Sequence, residues 1–171
     1  MTQRIILLGA NGSGKTTLGR ELARVLDIPH FDVEDYYFYK TGLPYSAEIP
    51  WEERNKMLLD DMKNHGSYIV SGDVSGWDEE FLTAFNLVVF LSAPADVRMK
   101  RIENRELARW GNRVLEGGDM YESQMKFRKF AATRDVNVFE KAMLKYSCPA
   151  LYFDGTEDYR VTATSVADRL E

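Results

Sequence analysis

Cysteine is almost absent from the 171-residue sequence, which has one, Cys148, and only two histidines, His30 and His65. A single cysteine excludes an intramolecular disulfide, and two histidines so far apart offer no zinc-binding spacing. An ordinary hydrophobic core must therefore hold the fold, and a chain of this length can bury roughly 70% of its unfolded surface. No apolar run approaches the roughly 18–20 residues that cross a bilayer. Met1-Thr2-Gln3-Arg4 leads straight into a strand-like segment. With the lone cysteine, these features lead us to expect a cytoplasmic protein without a membrane partner. A basic excess is also lacking: 27 acidic and 22 basic side chains give a net charge of −5. Nucleic acid is accordingly not the expected partner. The charge is uneven, however. Residues 96–145 carry 12 Lys or Arg against 8 Asp or Glu, a local +4 that leaves −9 for the remainder. That basic middle points to an anionic ligand. No repeat, low-complexity tract or linker divides the chain, so residues 1–171 are expected to form a single domain.

Ile5-Ile6-Leu7-Leu8, after Arg4, is a continuous apolar run that stops at Gly9, as a strand covered on both faces would. The period then changes: Leu18, Leu22, Val25 and Leu26 follow at helical spacing, and Pro29 closes the segment. Further strands are expected at His30-Phe31, Tyr68-Ile69-Val70, Leu87 to Leu91 and Ala150 to Phe153. Helices are expected over Trp51 to Asn64, Asp96 to Asn104, one long stretch from Tyr121 to Lys145, and Tyr159 to Leu170. Strands alternating with helices imply an α/β protein, its mostly parallel sheet covered on both faces.

Between the first strand and the first helix lies Gly9-Ala10-Asn11-Gly12-Ser13-Gly14-Lys15-Thr16, which satisfies G-x-x-x-x-G-K-S/T in full. Its glycines let backbone N–H groups turn inward around phosphate oxygens, its lysine reaches the β- and γ-phosphates, and its Thr hydroxyl is a magnesium ligand. The helix opening there adds its positive dipole end. At ordinary residue frequencies the four fixed positions coincide by chance in under about 1% of chains this long. The implied ligand set is Asn11, Gly12, Ser13, Gly14, Lys15, Thr16 and Thr17 around a nucleoside triphosphate, with Mg²⁺ on Thr16.

A phosphate loop leaves kinases, GTPases, ABC ATPases and switch proteins open. The nearest string to the N-K-x-D base reader of GTPases, Asn55-Lys56-Met57-Leu58, lacks the Asp. Leu115-Glu116-Gly117-Gly118-Asp119 looks superficially like an ABC signature. The last strand, however, ends in Asp154-Gly155 instead of an Asp-Glu pair. Taken in order, the motifs resemble the small P-loop kinases of the adenylate, shikimate and gluconate kinase group. That resemblance implies a three-layer α/β/α fold with a five-stranded parallel sheet of order 2-3-1-4-5. It also implies a helical lid, inserted at about residues 105–122.

The resemblance also assigns candidate roles. In Phe31-Asp32-Val33-Glu34-Asp35, Asp32 is the first choice for the base that accepts the proton of an acceptor hydroxyl, with Glu34 and Asp35 beside it. The alternative is that Asp32, a favoured N-cap residue, only caps a helix beginning at Val33. In Tyr68-Ile69-Val70-Ser71-Gly72-Asp73, Gly72 marks an acceptor turn and Asp73 a position near magnesium, or a plain turn. Trp77 is a stacking candidate or partial core. Arg105 and Arg109 follow Arg101 at four-residue spacing, where the group places arginines against the base and the transferred phosphoryl, with Arg113 in the same stretch. A solvated face paired with Glu103 and Glu106 is the alternative. Gly155 and Thr156 follow the last strand, near the expected adenine edge. Arg54 is a candidate for an anionic acceptor group or a surface pair.

The reading that follows is an ATP- and Mg²⁺-dependent phosphotransferase acting on a nucleoside, nucleotide or hydroxylated metabolite, as a monomer or homodimer. The nucleoside tilt rests on Tyr36, Tyr37, Phe38, Trp51 and Trp77. Two alternatives stand beside it: a regulatory ATPase acting through a partner, and a kinase of nucleic-acid ends.

Overall fold

The computed structural model describes residues 2–40 and 44–170; Met1 and Glu171, the limits of the expected domain, lie outside the described residues. Five strands, β1 (Arg4–Leu8), β2 (His30–Asp32), β3 (Tyr68–Ser71), β4 (Leu87–Ser92) and β5 (Ala150–Asp154), form one sheet in the order β2-β3-β1-β4-β5. Every pairing is parallel, with Ile5 opposite both Ile69 and Leu87. The strand order and three-layer architecture agree with expectation.

Strand alternation divides the core in two. Ile5, Leu7, Ile69, Val89 and Leu91 face Leu18 and Leu22 of α1 (Lys15–Leu26) and Ala163 and Val166 of α6 (Tyr159–Ala167). Ile6, Leu8, Val70, Val88 and Phe90 face Leu58, Leu59 and Met62 of α2 (Trp51–Lys63), together with Phe81, Phe139 and Tyr146. All four apolar residues of β1 are fully buried. Truncating any one of them would cost about 2–5 kcal/mol, a large share of a domain's net stability.

After Pro94, α3 (Ala95–Trp110) runs two turns further than expected, because Arg98, Ile102 and Glu106 continue a buried stripe. It ends at Gly111. The expected helix from Tyr121 to Lys145 is instead two, α4 (Tyr121–Thr133) and α5 (Asn137–Met143). Arg134 is extended (φ −63°, ψ 131°), and the Asp135 carboxylate accepts from the Asn137 N–H at 3.0 Å, starting a second helix. Between α3 and α4, buried Val114 and Met120 anchor the stretch expected to form the lid, and an Arg113–Asp119 pair at 2.8 Å braces it. Among the described residues no helix is long and apolar enough to cross a membrane.

Candidate active site

The C-terminal ends of the strands open into one cleft of about 1400 Å³. That exceeds the usual few hundred to 1,000 Å³ of a single-ligand pocket and leaves space for two ligands side by side. The phosphate loop forms its floor. Gly12 has φ 82°, and a Cβ there would lie 2.6 Å from the Arg98 carbonyl oxygen, so only glycine lets the loop press this closely on α3. Beneath it, the buried Arg98 guanidinium donates to the carbonyls of Asn11 (3.2 Å), Ala93 (3.2 Å) and Ala131 (3.3 Å). Arg101 donates to the Gly155 carbonyl at 2.8 Å and reaches those of Gly12 and Ser13 at 3.4 Å, tying the loop to the turn after β5.

No side chain caps α1, and its first turn holds no acidic residue, so its positive end faces the cleft unneutralised. The Lys15 ammonium donates to the Gly9 (2.9 Å) and Ala10 (3.0 Å) carbonyls. Burial lowers its pKa to about 8, against the opposing pull of Glu34 and Asp32. A lysine held this way is poised to gain from a polyanion. Among the described residues the Ser13 hydroxyl is buried without a hydrogen-bond partner. The uncapped start of α1, the ammonium and the orphaned hydroxyl fit a bound triphosphate. No cluster of three His, Cys, Asp or Glu side chains forms a metal cage among the described residues. Magnesium bound here would therefore rest on Thr16 and phosphate oxygens, with water completing its shell, as is usual for this ion. Asn11, Thr16 and Thr17 all line the cleft.

Asp32 ends β2, and its Oδ1 accepts from the Glu34 N–H at 3.1 Å, starting a 3-10 turn over Val33–Tyr36. It caps that turn and lines the cleft as well, near enough to Lys15 to act on its charge. Glu34 lines the cleft, whereas Asp35 points away and pairs with Lys40 at 3.0 Å. Gly72 has φ 127°, and a Cβ there would meet that of Val33 at 2.6 Å, so glycine brings the turn after β3 against the acidic 3-10 turn. Asp73 follows on the cleft wall, its Oδ1 accepting from the Ser75 N–H at 2.8 Å.

Arg54 of α2 stacks over Tyr37 (4.5 Å) and Trp77 (5.5 Å), so a guanidinium occupies rings that the sequence offered to a nucleobase. Tyr36 is buried with its hydroxyl on Asp61 at 2.6 Å, while Phe38 and Trp51 line the cleft. Across the cleft, Arg105 lies 3.9 Å from Glu34 and 2.8 Å from Glu106. Burial opposes its charge, but Glu34 and Glu106 prevail and raise its pKa. Arg109 lines the cleft, 3.8 Å from Glu106. Arg113 does not line it, being held by Asp119 and lying over Trp110. Gly155 is on the cleft wall, whereas Thr156 folds onto Asp154, to which its N–H (2.8 Å) and hydroxyl (2.7 Å) donate.

Sequence reasoning overlooked Arg134. It stacks on Phe139 (4.5 Å) and Phe130 (5.4 Å), lines the cleft, and helps to lower the pKa of Lys15. Its signal was the Arg-Asp step between two helical stretches that a single period had merged. Among the described residues neither Arg54 nor Arg134 forms an ion pair. Glu106 entered the sequence reading only as part of a solvated face and Arg98 was not singled out, yet both are buried.

The family described as AAA domain matches residues 5–125. The chain is 38% identical over 159 residues to the uncharacterized protein YqaC of Bacillus subtilis (strain 168), a match spanning 88% of each chain. It is 33% identical over 112 residues to shikimate kinase 2 of Syntrophotalea carbinolica, covering 60% of this chain and 65% of that enzyme. Among solved structures, shikimate kinase from Acinetobacter baumannii in complex with shikimate superposes with a TM-score of 0.57 at 21% identity, over 99% of this chain and 93% of that one. A sugar kinase from Janibacter sp. HTCC2649 gives 0.55 at 13% identity, over 99% and 95%. At these identities the two superpositions bear on the fold alone.

Proposed function

The chain belongs to the AAA-domain family and is a P-loop small-molecule kinase, and from that premise we propose that it transfers the γ-phosphoryl of ATP to a hydroxyl of a small acceptor bearing an anionic group. One observation carries this reading. Lys15, Asp32 and two guanidiniums without ion pairs among the described residues, Arg54 and Arg134, line a single cleft.

Lys15 and the N–H groups at the start of α1 hold the triphosphate, and Arg105 faces the transferred group from α3. Bound on Thr16 near Asp73, magnesium would neutralise charge on the phosphate oxygens. Arg54 and Arg134 hold the acceptor's anion, which leaves its hydroxyl directed towards Asp32. Asp32 takes the hydroxyl proton as the oxygen attacks phosphorus. Because such a transition state spreads charge over the equatorial oxygens, Lys15 and Arg105 contribute most there. Arg109 and the 105–122 stretch close the open side against water. Gly155 provides the adenine edge.

With Arg54 covering Tyr37 and Trp77, the site favours a hydroxylated carboxylate or phosphate ester over a nucleoside. Shikimate, the ligand of the Acinetobacter enzyme, has the required chemistry of hydroxyls beside a carboxylate. The lone, partly buried Cys148 suits a cytoplasmic setting.

The test is magnesium-dependent ADP release from ATP over a panel of hydroxy acids, sugar acids, sugar phosphates and nucleosides, with Lys15→Ala as control. Stimulation by an anionic hydroxylated acceptor, lost in Lys15→Ala, is expected. Stimulation by neutral nucleosides alone would contradict the acceptor assignment, and a rate indifferent to every acceptor would contradict the kinase reading.

A further inference from the structure

Glu106 has no part in the reaction just described, yet it is 1% exposed, near the C-terminal end of a helix otherwise rich in solvated charge. A carboxylate removed from water is costly unless charged or polar donors surround it. Here they do. Its Oε1 accepts from Arg105 Nε at 2.8 Å and lies 3.8 Å from an Arg109 terminal nitrogen, while its Oε2 accepts from Trp110 Nε1 at 3.2 Å. These contacts fall on adjacent and i+3 or i+4 neighbours, so one carboxylate gathers the last turn of α3.

The point of attachment on Arg105 matters. Glu106 binds the guanidinium through Nε, at the base of the fork, and so leaves the terminal nitrogens to other partners, one of them 3.9 Å from Glu34 on the cleft wall. An unheld arginine samples many rotamers, and fixing it on binding is an entropic cost. A buried carboxylate removes that cost in advance.

We propose that Glu106 is a positioning residue that aims Arg105 at the transferred phosphoryl and fixes Trp110 at the end of α3. The Trp110 arm extends the effect: its ring meets Tyr45 edge-on at 6.2 Å, and Tyr45 meets Phe38, on the cleft wall, at 5.5 Å. The inference rests on the kinase reading for its consequence, but the coupling itself is readable from binding.

The experiment is a double-mutant cycle of Glu106→Gln and Arg105→Ala, followed by affinity for a fluorescent ATP analogue with magnesium, by kcat and KM where turnover is found, and by thermal melting. Glu106→Gln is expected to weaken affinity or kcat about tenfold on its own and less than about twofold in the Arg105→Ala background. Arg105→Lys keeps the charge but loses the Nε attachment, and it is expected to match Glu106→Gln. That variant serves if the Glu106 change alone unfolds the chain. Effects that multiply in the double variant would overturn the proposal, as would a lower melting temperature with affinity and kcat untouched. Absent acceptor-dependent turnover in the parent protein would instead sink the kinase reading, and the affinity cycle would still decide the role of Glu106.

Discussion

At the proposed nucleotide end of the cleft, eight consecutive residues, Gly9 to Thr16, would carry the recognition, chiefly through backbone N–H groups and one ammonium. At the proposed acceptor end, Asp32, Arg54 and Arg134 come from three separate segments that the fold brings to one cleft, and would act through side chains alone. Phosphate is the same in every nucleotide, so a loop of backbone donors suffices and nothing in it need vary. An acceptor is particular, and its site must be assembled from side chains that the fold brings together. The two ends should therefore fail differently when altered.

The largest effect is expected from Lys15→Ala. Turnover should fall by at least about 10³-fold, because Lys15 meets charge that grows in the transition state. The melting temperature should hold or rise, since a cation penalised by burial is gone. A folded variant with parent-like turnover would break the account at its nucleotide end. Next comes Asp32→Asn, for which kcat should drop by about 10² to 10³ while ATP affinity stays within about twofold. Weakened ATP binding with kcat intact would move Asp32 from the acceptor end to the nucleotide end. Arg54→Ala should raise KM for an anionic acceptor about ten- to hundredfold, the usual weight of a charge-assisted hydrogen bond, with the nucleotide still bound normally. Parallel loss of both ligands would erase the distinction between the ends.

The smallest effect is a pH dependence. Lys15 must be protonated to hold phosphate, and its pKa in the free protein is about 8. ATP affinity should thus fall about tenfold between pH 7 and pH 9 and stay flat in Lys15→Ala, as titration calorimetry would show. Stability runs the other way. Between about pH 8 and the ordinary lysine value of 10.5 the unfolded chain binds more protons than the folded one, so a penalty present below pH 8 is relieved as pH rises.

Legibility followed the same division. The strand at Ile5–Leu8 and the loop after it could be read directly, because a doubly buried strand is continuously apolar and a phosphate loop needs fixed residues at fixed spacing. The sheet order 2-3-1-4-5 came through resemblance, since periodicity names strands but not their neighbours. Arg134 was hidden because a single helical period ran through the α4–α5 break, which shows only in the extended backbone of Arg134 and in the Asp135 carboxylate that accepts from the Asn137 N–H. Arg54 was suggested, but its stacking on Tyr37 and Trp77 needs α2 laid beside the β3 turn, a contact between segments far apart in sequence. Glu106 reads as one more solvated charge until α3 is placed and its inward face is known. Arg113, similar in type and spacing to Arg105 and Arg109, lies beyond the helix end at Gly111, where spacing by fours no longer predicts direction.

The claim joining the two ends is that phosphate leaves ATP for a hydroxyl, not for water. With ATP labelled at the γ-phosphorus and the stimulating acceptor present, the label should appear in the acceptor in step with ADP, with little in inorganic phosphate. Label recovered wholly as inorganic phosphate, at the same rate with or without acceptor, would contradict the account.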